Sequence, residues 1–188
     1  MSSYFDGNKP VDSFISAVRD LVVAPGEFFK QMPNTEGYGP GIFFLTITLA
    51  VPLLIAAMMT LGFSLFLAPV IWLVMLASTW LWAWYLGWAV RVFAKKELST
   101  INAFQICAYA NAPMLLAWIP VLSFITGLWS LALEWLGLTR YAGVSSGTAL
   151  LILLVPIVVL MLSFTVLIVL IAVLASKHGA SVQELQIF

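Results

Sequence analysis

Apolar residues run in long blocks along this chain, and polar residues collect between the blocks. A helix needs about 20 apolar residues to cross the hydrocarbon core of a bilayer. Five segments meet or approach that length: 41–62, 66–92, 100–118, 121–138 and 148–175. The second and fifth are long enough to tilt or kink, and Pro156 sits inside the fifth. Upstream of these, Val11, Phe14, Ile15, Val18 and Val22 recur at helical spacing, with Asp12, Arg19 and Asp20 off that stripe. The pattern predicts an amphipathic helix. A second short helix is expected over "PGEFFKQMP", with Pro25 and Glu27 suited to its start and Lys30 to its end. Both pieces are too short and too polar to span. They fit the membrane interface, or equally a cap packed on the protein's own spans.

The expected architecture is an all-α integral membrane protein of about five transmembrane helices with an N-terminal amphipathic interfacial helix. It divides the chain into a cytoplasmic segment 1–39, a transmembrane domain 40–176 and a short extracytoplasmic tail 177–188.

Composition agrees. Of 188 residues, 63% are hydrophobic and 9% charged, against about 25% charged in soluble domains, too few to cover a water-facing surface. The eight basic and eight acidic residues cancel, so nucleic acid is not an expected partner. One cysteine, Cys107, and one histidine, His178, give neither an internal disulfide nor a zinc site. No cofactor or metal is expected. The start "MSSYFDGNKPVDS" lacks the pattern of a cleavable signal, and the run from Gly41 is expected to act as an uncleaved anchor.

Basic residues set the orientation. With the N-terminus in the cytoplasm, Lys9, Arg19, Lys30, Arg91, Lys95, Lys96 and Arg140 fall inside and Lys177 falls outside. The C-terminus is then extracytoplasmic. The third and fourth segments are joined by "AWIPVLS" with almost no loop, so they either cross fully or form a re-entrant hairpin. Both arrangements leave the same flanks inside.

The third segment carries the stretch "AYANAP" at 108–113. On a helix, Asn102, Gln105, Tyr109 and Pro113 fall within about 80° of one another, with Thr100, Cys107 and Asn111 opposite. Asn and Gln are costly against lipid, so these faces should meet other helices or water. Ala103, Ala108, Ala110 and Ala112 let neighbours approach closely. The segment reads as the central packing element, its polar groups acting as glue between helices. A polar ligand or lipid-headgroup site at Asn102, Gln105, Asn111 and Glu134 is the sharper reading.

The same residues carry a resemblance. "YANAP" matches the Tyr-x-x-x-Pro core of a motif in the Yip family of membrane proteins (Ypt/Rab-interacting proteins). "EGYGP" at 36–40, just before the first span, is similar to the family's acidic-Leu-Tyr-Gly-Pro. Glu36, Tyr38, Gly39, Pro40, Tyr109 and Pro113 match. Gly37 replaces the Leu, and Ala108 replaces a leading Gly. "VVAPGEFF" looks like the corresponding region of bacterial members. The resemblance implies five spans, a cytoplasmic N-terminus and, for a bacterial-type member, the inner membrane. In eukaryotic relatives it implies a role in membrane trafficking with Rab GTPases, a partner that a bacterial member lacks.

Other motifs carry less. "GVSSG" at 143–147 fits G-x-S-x-G, but it precedes a membrane helix and His178 lies at that helix's far end, so helix capping by Ser145 or Ser146 is expected. Glu134 is the one acid inside a predicted span. It is expected to snorkel or to pair with Arg140 or Arg91, with a proton or cation relay as the alternative. Trp80, Trp84 and Trp88 form a stripe suited to interfacial anchoring.

The sequence therefore points to a non-enzymatic membrane scaffold or partner-binding protein. Its expected partners are the lipid bilayer and a membrane protein or a second copy of itself. The alternative is transport of a small molecule, ion or lipid along a polar path lined by Asn102, Gln105, Tyr109 and Glu134.

Overall fold

A computed structural model describes residues 10–34, 36–62 and 64–185. Among them there is helix and no strand. The chain forms α1 (Pro10–Val23), α2 (Pro25–Lys30), α3 (Gly39–Met59), α4 (Ser64–Ala89), α5 (Thr100–Ala110), α6 (Pro120–Arg140) and α7 (Ser146–Leu185). A π-helical turn, Val90–Ala94, extends α4, and a 3-10 turn, Ala112–Leu116, follows α5. Residues 1–9, part of the expected cytoplasmic segment, lie outside the described residues. So do residues 186–188, and α7 runs through the earlier part of the expected tail.

The chain divides into two units, residues 1–150 and 151–188. The second is the continuation of α7, whose apolar, membrane-length stretch ends at Ile171.

Four helical stretches are long and apolar enough to cross a membrane: Gly39–Met59, Ser64–Ala94, Pro120–Arg140 and Ser146–Ile171. The expected third span, 100–118, is not among them, which corrects the expectation of a continuous helix there. α5 has 11 residues. At 1.5 Å per residue it is about 16 Å long, roughly half a hydrocarbon core. Its break has a local cause. Pro113 lacks the N–H that would bond the Tyr109 carbonyl, and Pro sits in the first turn of the 3-10 segment, where no donor is needed. The Asn111 side chain donates to the Cys107 carbonyl at 2.8 Å, supplying one donor at the helix end.

α5 nonetheless forms the core of the first unit. Every residue from Asn102 to Ala110 is buried. Ile106 packs against Gly137 of α6, where a Cβ would overlap its side chain. α5 thus begins beside the C-terminal end of α6, and the 3-10 turn lies beside the N-terminal half of α6, where both line one groove. The two run antiparallel. At the shared end, Lys96 donates to the Gly143 carbonyl. Just before it, Lys95 reverses the chain in a left-handed conformation, φ 53°.

α1 and α2 cover one side of this unit. α1 buries Ser13, Ala17 and Leu21, while Val11, Ile15 and Val22 are exposed. α2 buries Phe28 and Phe29. The helix α7 starts with Ser145 accepting from the Thr148 N–H at 3.3 Å. On α4, Trp80, Trp84 and Trp88 are about half exposed, facing outward as a belt would.

Candidate functional site

The loop before α3 and the polar face of α5 come together through named bonds. Gln105 donates from Nε2 to the Gly37 carbonyl at 2.9 Å. Asn102 donates from Nδ2 to Asn34 Oδ1 at 2.5 Å. The Tyr38 ring meets Phe104 edge-on at 5.2 Å. Gly41, in the first turn of α3, is the point of closest approach. A Cβ there would sit 2.8 Å from Gln105 Oε1 and 2.9 Å from the Phe104 ring. Only a residue without a side chain lets α3 start this close to α5.

One turn further along the same face, the Tyr109 ring sits between two helices, edge-on to one ring and tilted to the other. Its ring lies 5.1 Å from Phe28 of α2 and 4.9 Å from Phe44 of α3. Phe14 of α1 lies 5.0 Å from Phe44, which carries the aromatic contact outward. Tyr38 and Tyr109, on two separate motifs, therefore both anchor on the unit built around α5. Glu36 remains exposed, Gly39 is exposed and Pro40 half-buried at the start of α3.

The candidate polar residues do not share one site. Asn102, Gln105 and Tyr109 face α3 and the N-terminal loop. Each is at most 6% exposed, so this face is a closed helix interface. Asn111 bonds within its own helix. Glu134 lies on the other side of α5, near enough to Cys107 to act on it electrostatically. Among the described residues Glu134 makes no ion pair with Arg91 or Arg140, which corrects the expected pairing. Its two carboxylate oxygens each accept from the Trp82 indole N–H of α4 at 3.1 Å. Burial explains the choice: at 8% exposure the carboxyl points into the α4–α5–α6 interface, not along the helix toward Arg140.

Asn34, the Gly37 carbonyl and Trp82 were not legible as partners in the sequence. Backbone acceptors carry no residue signal, and Trp82 is one of eight tryptophans. Among the described residues no group of three His, Cys, Asp or Glu side chains could hold a metal.

Four helices long and apolar enough to cross a membrane define a multi-pass membrane protein. The Yip1 domain matches the chain over residues 19–174. The chain belongs to that family. No curated protein and no solved structure matches it.

Proposed function

We propose that this chain is a non-enzymatic membrane scaffold that presents one partner-binding platform at the end of the bundle where α3 begins. The platform consists of the Glu36–Pro40 loop, α1 and α2. One observation carries the reading: the loop is pinned through its backbone and Tyr38, while the Glu36 side chain stays exposed. A loop held in one conformation loses little entropy on binding, which favours recognition. The basic residues Arg91, Lys95, Lys96 and Arg140 support a cytoplasmic placement for this end, in a bacterial inner membrane. α5 and its 3-10 turn serve as a broken fifth segment, tolerated at membrane depth because protein surrounds it. α1 lies against the bundle with its exposed apolar line toward lipid. The transport reading loses ground because Glu134 and the Asn102 face lie on opposite sides of α5.

The test is affinity capture from native membranes with the tagged chain and with Glu36→Lys. The exposed side chain makes this variant neutral for folding. Partners that are captured by the native chain and lost with Glu36→Lys support the platform. Identical capture by both chains would remove Glu36 from the recognition surface.

A further inference from the structure

A groove of about 270 Å³ runs beneath the C-terminal half of α1. Its open edge is formed by Val22 of α1, Leu116 of the 3-10 turn, and Ile125 and Trp129 of α6, each 40–58% exposed. The groove shares α1 with the platform, but no residue of the Glu36–Pro40 loop or of α2 lines it.

Three features define what fits. The first is polarity. Thr126 brings the only side-chain hydroxyl to the lining, and that hydroxyl already donates to the Ser123 carbonyl at 2.8 Å. A polar ligand would bury its groups against walls that return almost no hydrogen bonds, which is costly. The second is length. The lining runs along α6 from Leu122 to Leu133, about 16 Å at 1.5 Å per residue. That is close to half of the roughly 30 Å hydrocarbon core, the depth of one leaflet. The third is position. These residues lie inside a helix long enough to cross the membrane, and the groove continues outward into the exposed apolar line Val11, Ile15 and Val22 of α1. An open apolar slot at that depth meets hydrocarbon, not water.

We propose that this groove holds one acyl chain of a membrane phospholipid, clasped between α1 and α6. The chain completes the packing of α1. That helix meets protein through Ser13, Ala17 and Leu21. Its Val18 and Val22 edge meets lipid.

The experiment uses the full chain. Purified protein is stripped with detergent and its bound phospholipid is counted by native mass spectrometry, for the native sequence and for Val22→Phe/Ile125→Phe. Both substituted positions are at least half exposed, so the added rings fill the groove from its rim. The expected result is one phospholipid retained by the native chain, and a severalfold loss in the variant with an unchanged melting temperature. Equal retention in both overturns the proposal.

A second measurement needs no filled groove. The full chain is placed in phosphatidylcholine vesicles containing a fraction of lipid brominated mid-chain. Fluorescence of the native chain minus that of Trp129→Phe isolates Trp129, and the same subtraction with Trp84→Phe reports the outward belt. Trp129 should be quenched at a lower brominated fraction than Trp84. Equal quenching curves overturn the proposal. So does a disulfide-linked dimer of Ile125→Cys in a Cys107→Ser chain in native membranes, which would assign the groove to a second copy.

Discussion

Gln105 in the middle of α5 donates its side-chain amide to the carbonyl of Gly37, 68 positions earlier in the chain. This bond joins a buried helix to the loop that enters the first membrane helix. Nearby, Asn102 bonds to Asn34 and Phe104 meets Tyr38. The polar residues of α5 therefore act as a dock for the loop. They satisfy main-chain and side-chain groups that would otherwise be left unpaired where the chain enters the bilayer.

The dock can be weakened by one change of nearly constant volume. Gln105→Leu keeps the bulk and removes the donor to Gly37. Hydrogen bonds inside membranes average about 0.6 kcal/mol, with a maximum near 1.7 kcal/mol. The melting temperature in detergent should fall slightly, while amide exchange at 36–38 should accelerate clearly. Exchange measured by mass spectrometry in nanodiscs checks this; unchanged exchange means that Gln105 does not hold the loop.

Close helix contacts give a sharper effect. A Cβ at Gly137 would overlap Ile106, whereas nothing lies within 4 Å of a Cβ at Gly127 on the same helix. Overpacking costs about 1–3 kcal/mol. Thermal melts should show Gly137→Val strongly destabilised and Gly127→Ala near neutral, with Ile106→Ala partly rescuing Gly137→Val. Equal melts for Gly137→Val and Gly127→Ala would place α5 and α6 further apart than described.

Glu134 and Trp82 form a testable pair. Trp82→Phe removes the one donor that both carboxylate oxygens use. Leaving a buried acceptor unpaired costs about 1–3 kcal/mol, more when charged. Glu134→Gln keeps an acceptor for the indole and should cost less. The double change should cost less than the sum of the single changes. Strict additivity in melts of the four chains would mean that the two side chains do not interact.

Much of this fold was legible in the sequence. α3, α4, α6 and α7 follow from apolar length alone, and α1 from the spacing of Val11, Phe14, Ile15, Val18 and Val22. The faces of α5 were also legible, because 3.6-residue periodicity sorts Asn102, Gln105 and Tyr109 from Cys107 and Asn111. What could not be read was where α5 stops. Pro113 can kink a helix or end it, and the outcome depends on whether neighbours satisfy the freed carbonyls. Here Asn111 turns back onto Cys107, and the helix ends. Glu134 was misassigned for a related reason. Sequence proximity favoured Arg140, whereas packing brought in an indole from 52 positions away. The burial of α1 was open between lipid and protein, and the helix divides itself between an inward line and an outward one.

The packing of Tyr109 separates stability from function. Tyr109→Phe keeps the ring contacts with Phe28 and Phe44 and should melt close to the native chain. Ala112→Leu forces bulk into a position only 6% exposed and should cost about 1–3 kcal/mol. Melts of both variants, run beside affinity capture, decide the role of Tyr109. Native-like capture by Tyr109→Phe assigns the residue to packing. Lost capture with an unchanged melt assigns its hydroxyl to recognition.

The central claim is that the Glu36–Pro40 loop is exposed on one side of the membrane while the helix beneath it is sealed. It is tested by thiol labelling with an impermeant maleimide in a Cys107→Ser chain, comparing Glu36→Cys with Ala108→Cys, the latter at a position with 0% exposure. In inside-out membrane vesicles, Glu36→Cys should label rapidly and Ala108→Cys should not. In intact cells neither should label. Rapid labelling of Ala108→Cys would show that α5 is open to water, and labelling of Glu36→Cys in intact cells would place the platform on the opposite face.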